Sequence, residues 1–183
     1  MAEPEARKVI AVVGMPGSGK GTFCEVAAEL GWMVITFREV AVEATKKHDA
    51  SNDALAIHRV ADRLRKEIGP DWIAREIAGR MKSLSGKICL DDMRTPEELR
   101  FLKGAFPELK VIGISAQKED RFDRLIRRNR WDDHVDRETL EKKDSGGGAW
   151  GIPSLLEKSD FLVENAGALE EFRSASRKIL EGV

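Results

Sequence analysis

The fold is decided by the stretch Gly14-Met15-Pro16-Gly17-Ser18-Gly19-Lys20-Gly21-Thr22. An apolar run over residues 9–13 comes before it and is long enough for a buried strand. A helical pattern follows, with apolar residues on one face: Phe23, Val26, Ala27 and Leu30. A strand, a glycine-rich turn and a helix in this order are typical of a phosphate-binding loop, because the turn and the helix N-terminus both present N–H groups to an anion.

Lys20 occupies the position from which the lysine of such a loop reaches the β- and γ-phosphates of a nucleotide. The alternative is a tight glycine turn that binds nothing, but the spacing, the lysine and the flanking elements all favour phosphate binding. The residues expected to bind the nucleotide are Gly14, Pro16, Gly17, Ser18, Gly19, Lys20, Gly21 and Thr22. Gly21 stands where the common motif has a magnesium-binding Ser or Thr, so we expect Mg2+ to use waters and acidic side chains.

Composition and charge narrow the class of protein. The 183 residues suit one domain with a full core, and 42% hydrophobic and 34% charged residues indicate a globular chain. The net charge of −1 argues against a dedicated binder of duplex DNA. No apolar run approaches the length of a membrane span, and residues 1–8 lack a signal-peptide core, so we expect a cytoplasmic protein without a membrane partner.

Cysteine and histidine form no metal-binding pattern in the sequence. Cys24 and Cys89 lie far apart along the chain, in a predicted helix and a predicted strand, and we expect both to pack in the core. The three histidines, His48, His58 and His134, show no ligand spacing.

Strand and helix patterns alternate along the whole chain. Strands are predicted over residues 9–13, 32–36, 87–90, 110–115 and 161–163, and helices over 40–47, 55–68, 72–84, 121–130, 153–158 and 169–180. A further helix opens at Thr95-Pro96-Glu97-Glu98, where Thr95 caps the first turn and Glu98 completes a capping box. This alternation predicts an α/β fold with a parallel sheet covered on both faces.

Two acidic residues and an arginine follow the predicted third strand. Asp91, Asp92 and Arg94 should lie at the carboxyl edge of the sheet, where ligands bind in open α/β folds. We expect both aspartates to serve Mg2+ or its waters, and Arg94 to hold an acceptor phosphate bidentately. The alternative is a helix-capping acid beside a surface arginine.

A strongly basic helix is predicted over residues 121–130. Arg124 and Arg128 are four residues apart and share a side of this helix. Guanidinium groups in such a row can neutralise the charge that a phosphoryl group spreads over three oxygens during transfer. The alternative is a solvated basic face paired with Glu119, Asp120 and Asp123.

The run Gly-x-Pro-Gly-x-Gly-Lys-Gly-Thr at residues 14–22 resembles the adenylate-kinase branch of the nucleoside monophosphate kinases. The resemblance implies ATP as phosphoryl donor and a small phosphate-bearing acceptor. Asp91-Asp92-x-Arg94 is similar to the Asp-Gly-x-Arg corner of dephospho-CoA-kinase-like and adenylate-kinase-related proteins, with Asp92 in place of their glycine.

A second resemblance covers the segment after the fourth strand. Arg124-x-x-x-Arg128, Arg130-x-Asp132-Asp133 and Glu138-x-Leu140-x-Lys142-Lys143 are similar to the short lid of UMP/CMP and adenylate kinases. This implies a lid over about residues 121–148 in which Arg124, Arg128 and Arg130 clamp the donor phosphates. The two lysines stand where the family usually has another arginine.

The last strand and its loop, residues 159–167, resemble those of dephospho-CoA kinases, whose loop wraps the adenine ring. The resemblance implies nucleotide-binding roles for Asn165 and Gly167, although spacing alone fits an ordinary strand-to-helix turn equally well. Together with the phosphate loop and the lid, Ala149-Trp150-Gly151-Ile152 is similar to an archaeal-type group of adenylate-kinase-related, dephospho-CoA-kinase-like P-loop proteins.

The stretch over residues 36–42 departs from that pattern. Monophosphate kinases have a Gly-Asp pair here and an arginine one helical turn later, whereas this chain has Arg38-Glu39 and then Val42. We expect Arg38, placed at the carboxyl edge of the second strand, to replace the missing acceptor ligand beside Glu39.

The resemblance as a whole implies a three-layer α/β/α P-loop kinase fold with a five-stranded parallel sheet. Residues 1–183 are expected to form one kinase domain, with acceptor-binding helices over about 37–84. The first functional interpretation is ATP-dependent phosphoryl transfer, with catalytic residues Lys20, Arg94, Arg124, Arg128 and Arg130. The alternative is a nucleotide-dependent switch or RNA-associated ATPase, which leaves an RNA or protein partner open.

Overall fold

The computed structural model describes residues 7–48, 54–128, 137–138, 141, 144 and 151–183. Its strands are β1 Lys8–Val13, β2 Met33–Thr36, β3 Lys87–Asp91, β4 Lys110–Ser115 and β5 Phe161–Glu164. Its helices are α1 Lys20–Glu29, α2 Phe37–His48, α3 Ala54–Glu67, α4 Trp72–Met81, α5 Pro96–Ala105, α6 Lys118–Arg128, α7 Ile152–Glu157 and α8 Leu169–Gly182.

The strands form a parallel sheet in the order β2-β3-β1-β4-β5. The chain crosses from β3 to β4 past β1, so the carboxyl end of β1 lies between the two halves of the sheet. Open α/β sheets bind their ligands at such a point. The predicted α/β fold with a five-stranded parallel sheet is therefore confirmed.

Alternate residues of β1 face two helical layers. Val9, Ala11 and Val13 pack into a core formed with α2, α3, α4, α5 and α7. Ile10 and Val12 pack on the other face, against α1 and α8. All five side chains are buried, as expected for a central parallel strand with both faces covered. Cys24 and Cys89 lie in the second core, as predicted.

The start of α2 differs from the prediction. The helix begins at Phe37, directly after β2, rather than at residue 40. Thr36 Oγ accepts a hydrogen bond of 3.0 Å from the N–H of Glu39, which satisfies a donor of the first turn. Arg38 therefore lies in the first turn of α2, two residues beyond the carboxyl end of β2.

Other helix boundaries differ from the predicted ones by a few residues. The helix α4 ends at Met81 rather than residue 84, and α6 begins at Lys118 rather than residue 121. The predicted end of the basic helix at residue 130 lies outside the described residues. Within the described part of the chain, none of the helices combines the length and apolar character needed to cross a membrane.

The capping box at the start of α5 is formed as predicted. Thr95 Oγ accepts a hydrogen bond of 3.2 Å from the N–H of Glu98, and the Glu98 carboxylate accepts one of 3.0 Å from the N–H of Thr95. Both residues are buried. This box ties the segment after β3 to α5, and so it positions the two acidic residues that precede it.

We predict that Thr95→Ala lowers the free energy of unfolding by about 1 kcal/mol, because it removes the acceptor of a buried helix N-terminal N–H. Thr95→Ser keeps the hydroxyl and should lose less than half as much. Urea unfolding of both variants measures the difference. Equal losses in both would show that the methyl group of Thr95, and not its hydroxyl, supports the helix.

Candidate functional site

The phosphate loop depends on two glycines with left-handed backbones. Gly17 has φ 79° and Gly19 has φ 113°, a region that residues with a side chain rarely adopt. A Cβ at Gly17 would lie 2.5 Å from the backbone oxygen of Arg121, and one at Gly19 would lie 2.4 Å from Asn165 Nδ2. The glycines thus allow α6 and the segment after β5 to approach the loop closely. Gly21 differs, because a Cβ there would meet nothing within 4 Å.

The N-terminus of α1 is open to an anion. Gly19 is its N-cap residue and carries no side chain to cap the first turn, and no acidic residue lies in that turn. The first N–H groups of the helix are therefore available to phosphate oxygens, together with the positive end of the helix dipole.

Lys20 connects the loop to the end of β3. Its Nζ donates a hydrogen bond of 2.8 Å to Gly14 O and lies 3.7 Å from Asp92 Oδ1. The side chains of Lys20 and Asp92 are 13% and 18% exposed, so this ion pair is largely shielded from water. The lysine and the segment after β3 therefore meet at one point, as the sequence predicted from the carboxyl edges of parallel strands.

Asp92 adopts a left-handed backbone with φ 69°, which is uncommon for a residue other than glycine. Its Oδ2 accepts a hydrogen bond of 3.0 Å from Arg94 Nε and a second one from Arg94 Nη2. Burial acts to raise the pKa of Asp92, but the positive charges of Arg94 and Lys20 outweigh it and hold the pKa below its ordinary value. Asp92 is thus a carboxylate shared by two cations.

Asp91 has a different environment. Burial raises the pKa of Asp91, the negative charge of Asp92 adds to the rise, and Lys20 opposes it. Its Oδ1 is buried and has no hydrogen-bond partner within the described ranges. Of the two aspartates predicted to serve Mg2+, Asp91 therefore has an oxygen available, whereas both oxygens of Asp92 face cations.

The predicted Mg2+ ligands are Asp91 and Asp92. No group of three or more His, Cys, Asp and Glu side chains placed to hold a metal occurs among the residues that the structure describes. Mg2+ in nucleotide sites keeps several waters and uses one or two carboxylates plus phosphate oxygens. The donor set at Asp91, a single available carboxylate oxygen, fits such a water-rich ion.

Cys24 of α1 and Cys89 of β3 lie side by side in the core, and Cys24 is next to Asp91. Their Sγ atoms are 4.0 Å apart, and both thiols are free and buried. The hydrogen bond with Cys89 and burial raise the pKa of the Cys24 thiol, which also bonds Asp91. The Cys24 thiol therefore stays protonated, and the burial of both cysteines is consistent with the predicted packing role.

A pocket opens on the other side of Asp92. It is open to solvent at its mouth and has a cavity volume of about 40 Å3. It is lined by Phe37, Arg38, Ala41, Ile57, His58, Ala61, Arg65, Ile73, Asp92, Arg94 and Glu98. The structure therefore brings Arg38 and Arg94 to the same cavity, as the sequence predicted. Glu39 is exposed and is not one of the lining residues in the described part of the chain.

Glu98 is a lining residue that sequence reasoning treated only as a helix cap. Its side chain is 1% exposed, and its Oε2 accepts hydrogen bonds from the N–H groups of Arg94 and Thr95 at 2.9 and 3.0 Å. Burial raises the pKa of Glu98, while those N–H groups and the charge of Arg65 oppose the rise. The capping box signalled this position, but no pattern in the sequence indicated that it faces a cavity.

Arg124 and Asn165 brace the phosphate loop. Arg124 Nη2 donates a hydrogen bond of 3.0 Å to Asn165 O, and its Nη1 donates one of 3.4 Å to Gly17 O. Asn165 Nδ2 in turn donates one of 2.8 Å to Ser18 O. The structure thus places both predicted residues against the phosphate loop, whereas Gly167 is exposed.

Arg121 is a site residue that the sequence analysis did not single out. It is buried, and its Nη1 donates hydrogen bonds of 3.1 Å to Pro16 O and 3.0 Å to Asp144 Oδ1. Its position one helical turn before Arg124 was the available signal, since residues three apart share a face. Arg128 is exposed at the end of α6.

Part of the predicted lid lies outside the described residues. This applies to the predicted catalytic residue Arg130, to the two lysines at 142 and 143, and to residues 145–150. Of the described lid residues, Asp144 pairs with Arg121, and Glu141 lies 3.8 Å from Lys118.

Comparison with protein families identifies the class of the domain. A model described as an AAA domain matches residues 13–141. A UPF0200 protein of Methanoculleus marisnigri is 33% identical over 94% of this chain and 95% of its own length. A UPF0200 protein of Methanoregula boonei is 36% identical over 90% and 91%. A UPF0200/UPF0201 protein of Archaeoglobus fulgidus is 36% identical, and the match covers 55% of that longer relative.

Solved structures support the fold. The crystal structure of TT1252 from Thermus thermophilus has a TM-score of 0.69 and 18% identity, and the match covers 98% of this chain and 99% of that one. A gluconokinase from Sinorhizobium meliloti has a TM-score of 0.57 and 18% identity, over 97% and 94%. At this identity the likeness concerns the fold alone, which is that of a P-loop kinase-like domain.

We predict opposite effects on stability for Asp91→Asn and Asp92→Asn in urea unfolding without Mg2+. The folded state binds a proton at Asp91 more tightly than the unfolded state, so the charged Asp91 side chain lowers stability as the pH rises above about 3.8. Asp91→Asn should therefore gain about 1 kcal/mol at pH 7, and the gain should shrink towards pH 3.

Asp92 should behave in the opposite way, because its pKa is lowered and its charge stabilises the folded state above the ordinary value. Asp92→Asn should lose about 1–3 kcal/mol at pH 7, and the loss should shrink as the pH falls below 3.8. Asp123→Asn, an exposed change on α6, is the control and should change little. A change of the same sign in both site variants would contradict the assignment of the two environments.

Proposed function

Because the chain belongs to the AAA domain family and, with its archaeal relatives, to the UPF0200 family, we propose that it transfers a phosphoryl group from ATP to a small phosphate-bearing acceptor such as a nucleoside monophosphate. The comparisons support a P-loop kinase-like domain. ATP as the donor and a phosphate-bearing molecule as the acceptor are what we propose beyond it.

The observation that carries the proposal is the position of Asp92 between two cations. Lys20 belongs to the phosphate loop, and Arg94 lines the pocket on the far side of Asp92. A donor site and a basic acceptor pocket therefore share one carboxylate. Direct transfer between two bound molecules requires such adjacent sites, because the attacking oxygen must lie in line with the transferred group.

On the donor side, the loop and the N-terminus of α1 would hold the phosphates of ATP, with Lys20 at the β- and γ-phosphates. Mg2+, when bound, supplies positive charge to the donor phosphates, and Asp91 would hold its waters. Asn165 and Gly167 would lie towards the base of the nucleotide. The oxygen of Asp91 that has no hydrogen-bond partner among the described residues supports this assignment.

On the acceptor side, Arg38 and Arg94 would bind the phosphate of the acceptor, with Glu39 next to Arg38 in the first turn of α2. Arg38 comes from the first turn of α2, and Arg94 is held in place by Asp92. The helices of residues 37–84 would form the acceptor-binding part of a single domain. Apolar walls from Ile57 and Ile73 suit an acceptor that carries a ring.

Residues of about 121–148 would act as a lid over the transferred group, with Arg124, Arg128 and Arg130 as its cationic residues. Arg124 already lies against the loop through Gly17 O. Catalysis would consist of positioning and charge neutralisation without a covalent intermediate.

The alternative of a nucleotide-dependent switch or RNA-associated ATPase is less well supported. A switch requires a nucleotide site and a partner surface, but it does not require a second basic pocket beside the donor lysine. The pocket shared by Arg38, Arg94 and Asp92 thus favours transfer over hydrolysis alone.

We predict that Lys20→Ala leaves the fold intact and lowers phosphoryl transfer at least about a hundredfold, since a positioned charge on a transferring phosphoryl group contributes several kcal/mol. The assay screens nucleoside monophosphates and dephospho-CoA as acceptors with ATP and Mg2+. Lys178→Ala, an exposed lysine on α8, is the control and should keep wild-type turnover. Wild-type turnover in Lys20→Ala would overturn the donor assignment, and slow ATP hydrolysis without any acceptor response would favour the switch.

We predict that Arg38→Ala raises the Michaelis constant for the acceptor much more than that for ATP. A lost charge-assisted hydrogen bond costs about 1.5–3 kcal/mol, which corresponds to roughly tenfold to a hundredfold. Arg63→Ala, an exposed arginine on α3, serves as the matched control. Loss of ATP affinity with unchanged acceptor affinity would place Arg38 in the donor site or in the support of the fold.

A further inference from the structure

The two oxygens of Glu98 have different roles. Oε2 is held by the N–H groups of Arg94 and Thr95, which fix the orientation of the carboxylate. Oε1 is buried and makes no hydrogen bond within the part of the chain that the structure describes. A buried polar atom without a hydrogen bond is destabilising, so a buried Oε1 without one indicates a role other than stabilising the fold.

The capping interaction alone does not explain a carboxylate at this position. A glutamine completes the same box equally well, since only one side-chain oxygen reaches back to the N-cap. The second oxygen of Glu98 therefore adds the desolvation of a charge without any benefit to the helix. The same residue lines the pocket that also holds Arg38 and Arg94.

Arg65 of α3 stands beside the available oxygen. Its Nη2 lies 3.8 Å from Glu98 Oε1, close enough for an ion pair but longer than a hydrogen bond. The side chains of Glu98 and Arg65 are 1% and 15% exposed, and both line the pocket. The wall of the pocket thus contains a buried carboxylate oxygen with a fixed orientation next to guanidinium donors.

Resting on the proposed function, we propose that Glu98 Oε1 and Arg65 read the ring of the acceptor, and that the acceptor presents an exocyclic amino group to Glu98. The amino group donates to Oε1, and the neighbouring ring nitrogen accepts from Arg65. Adenine and cytosine carry such a donor next to such an acceptor. Their deaminated counterparts present a carbonyl oxygen instead, which a carboxylate repels.

Matched nucleotide pairs test the proposal directly. Isothermal titration calorimetry compares CMP with UMP and AMP with IMP on the full chain, at a pH of about 8.5 so that the carboxylate is ionised. The wild-type protein should bind at least one amino nucleotide at least about tenfold more tightly than its keto counterpart, since a hydrogen bond to a charged group contributes about 1.5–3 kcal/mol. Equal binding of both members of each pair, or binding of none of the four, would overturn the proposal.

The variant Glu98→Gln separates recognition from helix capping. Its amide oxygen can take over the two backbone hydrogen bonds, while its amide nitrogen turns the pocket-facing acceptor into a donor. The amino-to-keto preference should fall at least about tenfold or reverse. Glu97→Gln, the neighbouring change on α5 outside the lining of this pocket, should keep the wild-type preference. An unchanged preference in Glu98→Gln would overturn the proposal.

Two further outcomes separate this inference from the proposed function. If the wild-type protein binds amino nucleotides preferentially but does not phosphorylate them, Glu98 still reads the ligand and the assignment as a kinase fails. If it phosphorylates both members of a pair at equal kcat/KM, the kinase assignment stands and the inference about Glu98 and Arg65 fails. If Glu98→Gln does not fold, the nucleotide preference of the wild-type protein decides alone.

Discussion

The carboxylate of Asp92 lies at the end of β3, between the phosphate loop and the pocket that Arg94 lines. It lies 3.7 Å from the Nζ of Lys20 and accepts two hydrogen bonds from the guanidinium group of Arg94. Its backbone has φ 69°, and this uncommon conformation turns the chain at the carboxyl edge of the sheet. Two cations in one confined space would repel each other, so the negative charge between them makes their close approach possible.

The phosphate loop is braced from the other side by residues distant in sequence. Arg121 and Arg124 of α6 donate to carbonyl oxygens of the loop, and Asn165 donates to Ser18 O. These donors satisfy carbonyl groups of the loop, while the first N–H groups of α1 remain available to an anion. The absence of a Cβ at Gly17 therefore has two consequences, because it permits the turn and lets α6 pack against it.

Sequence patterns predicted the elements that depend on local physics. The strands, the phosphate loop and the capping box at Thr95 follow from periodicity, glycine spacing and side-chain hydrogen bonds within four residues. The start of α2 was predicted too late because the cap at Thr36 lies within the strand pattern. The role of Arg121 and the second oxygen of Glu98 required contacts across the fold, which no short window of sequence contains.

The contrast among half-buried Asp91, half-buried Asp92 and buried Glu98 shows how one site can hold several negative charges. Asp92 is stabilised by Lys20 and Arg94, and Glu98 has one oxygen fixed by backbone N–H groups. Asp91 is compensated less, since burial and the charge of Asp92 raise its pKa more than the charge of Lys20 lowers it. The ionised form of such a carboxylate is stabilised by a cation that binds next to it. The environments of the three carboxylates therefore differ: Asp92 pairs with Lys20 and Arg94, whereas Asp91 Oδ1 and Glu98 Oε1 are buried and make no hydrogen bond among the described residues.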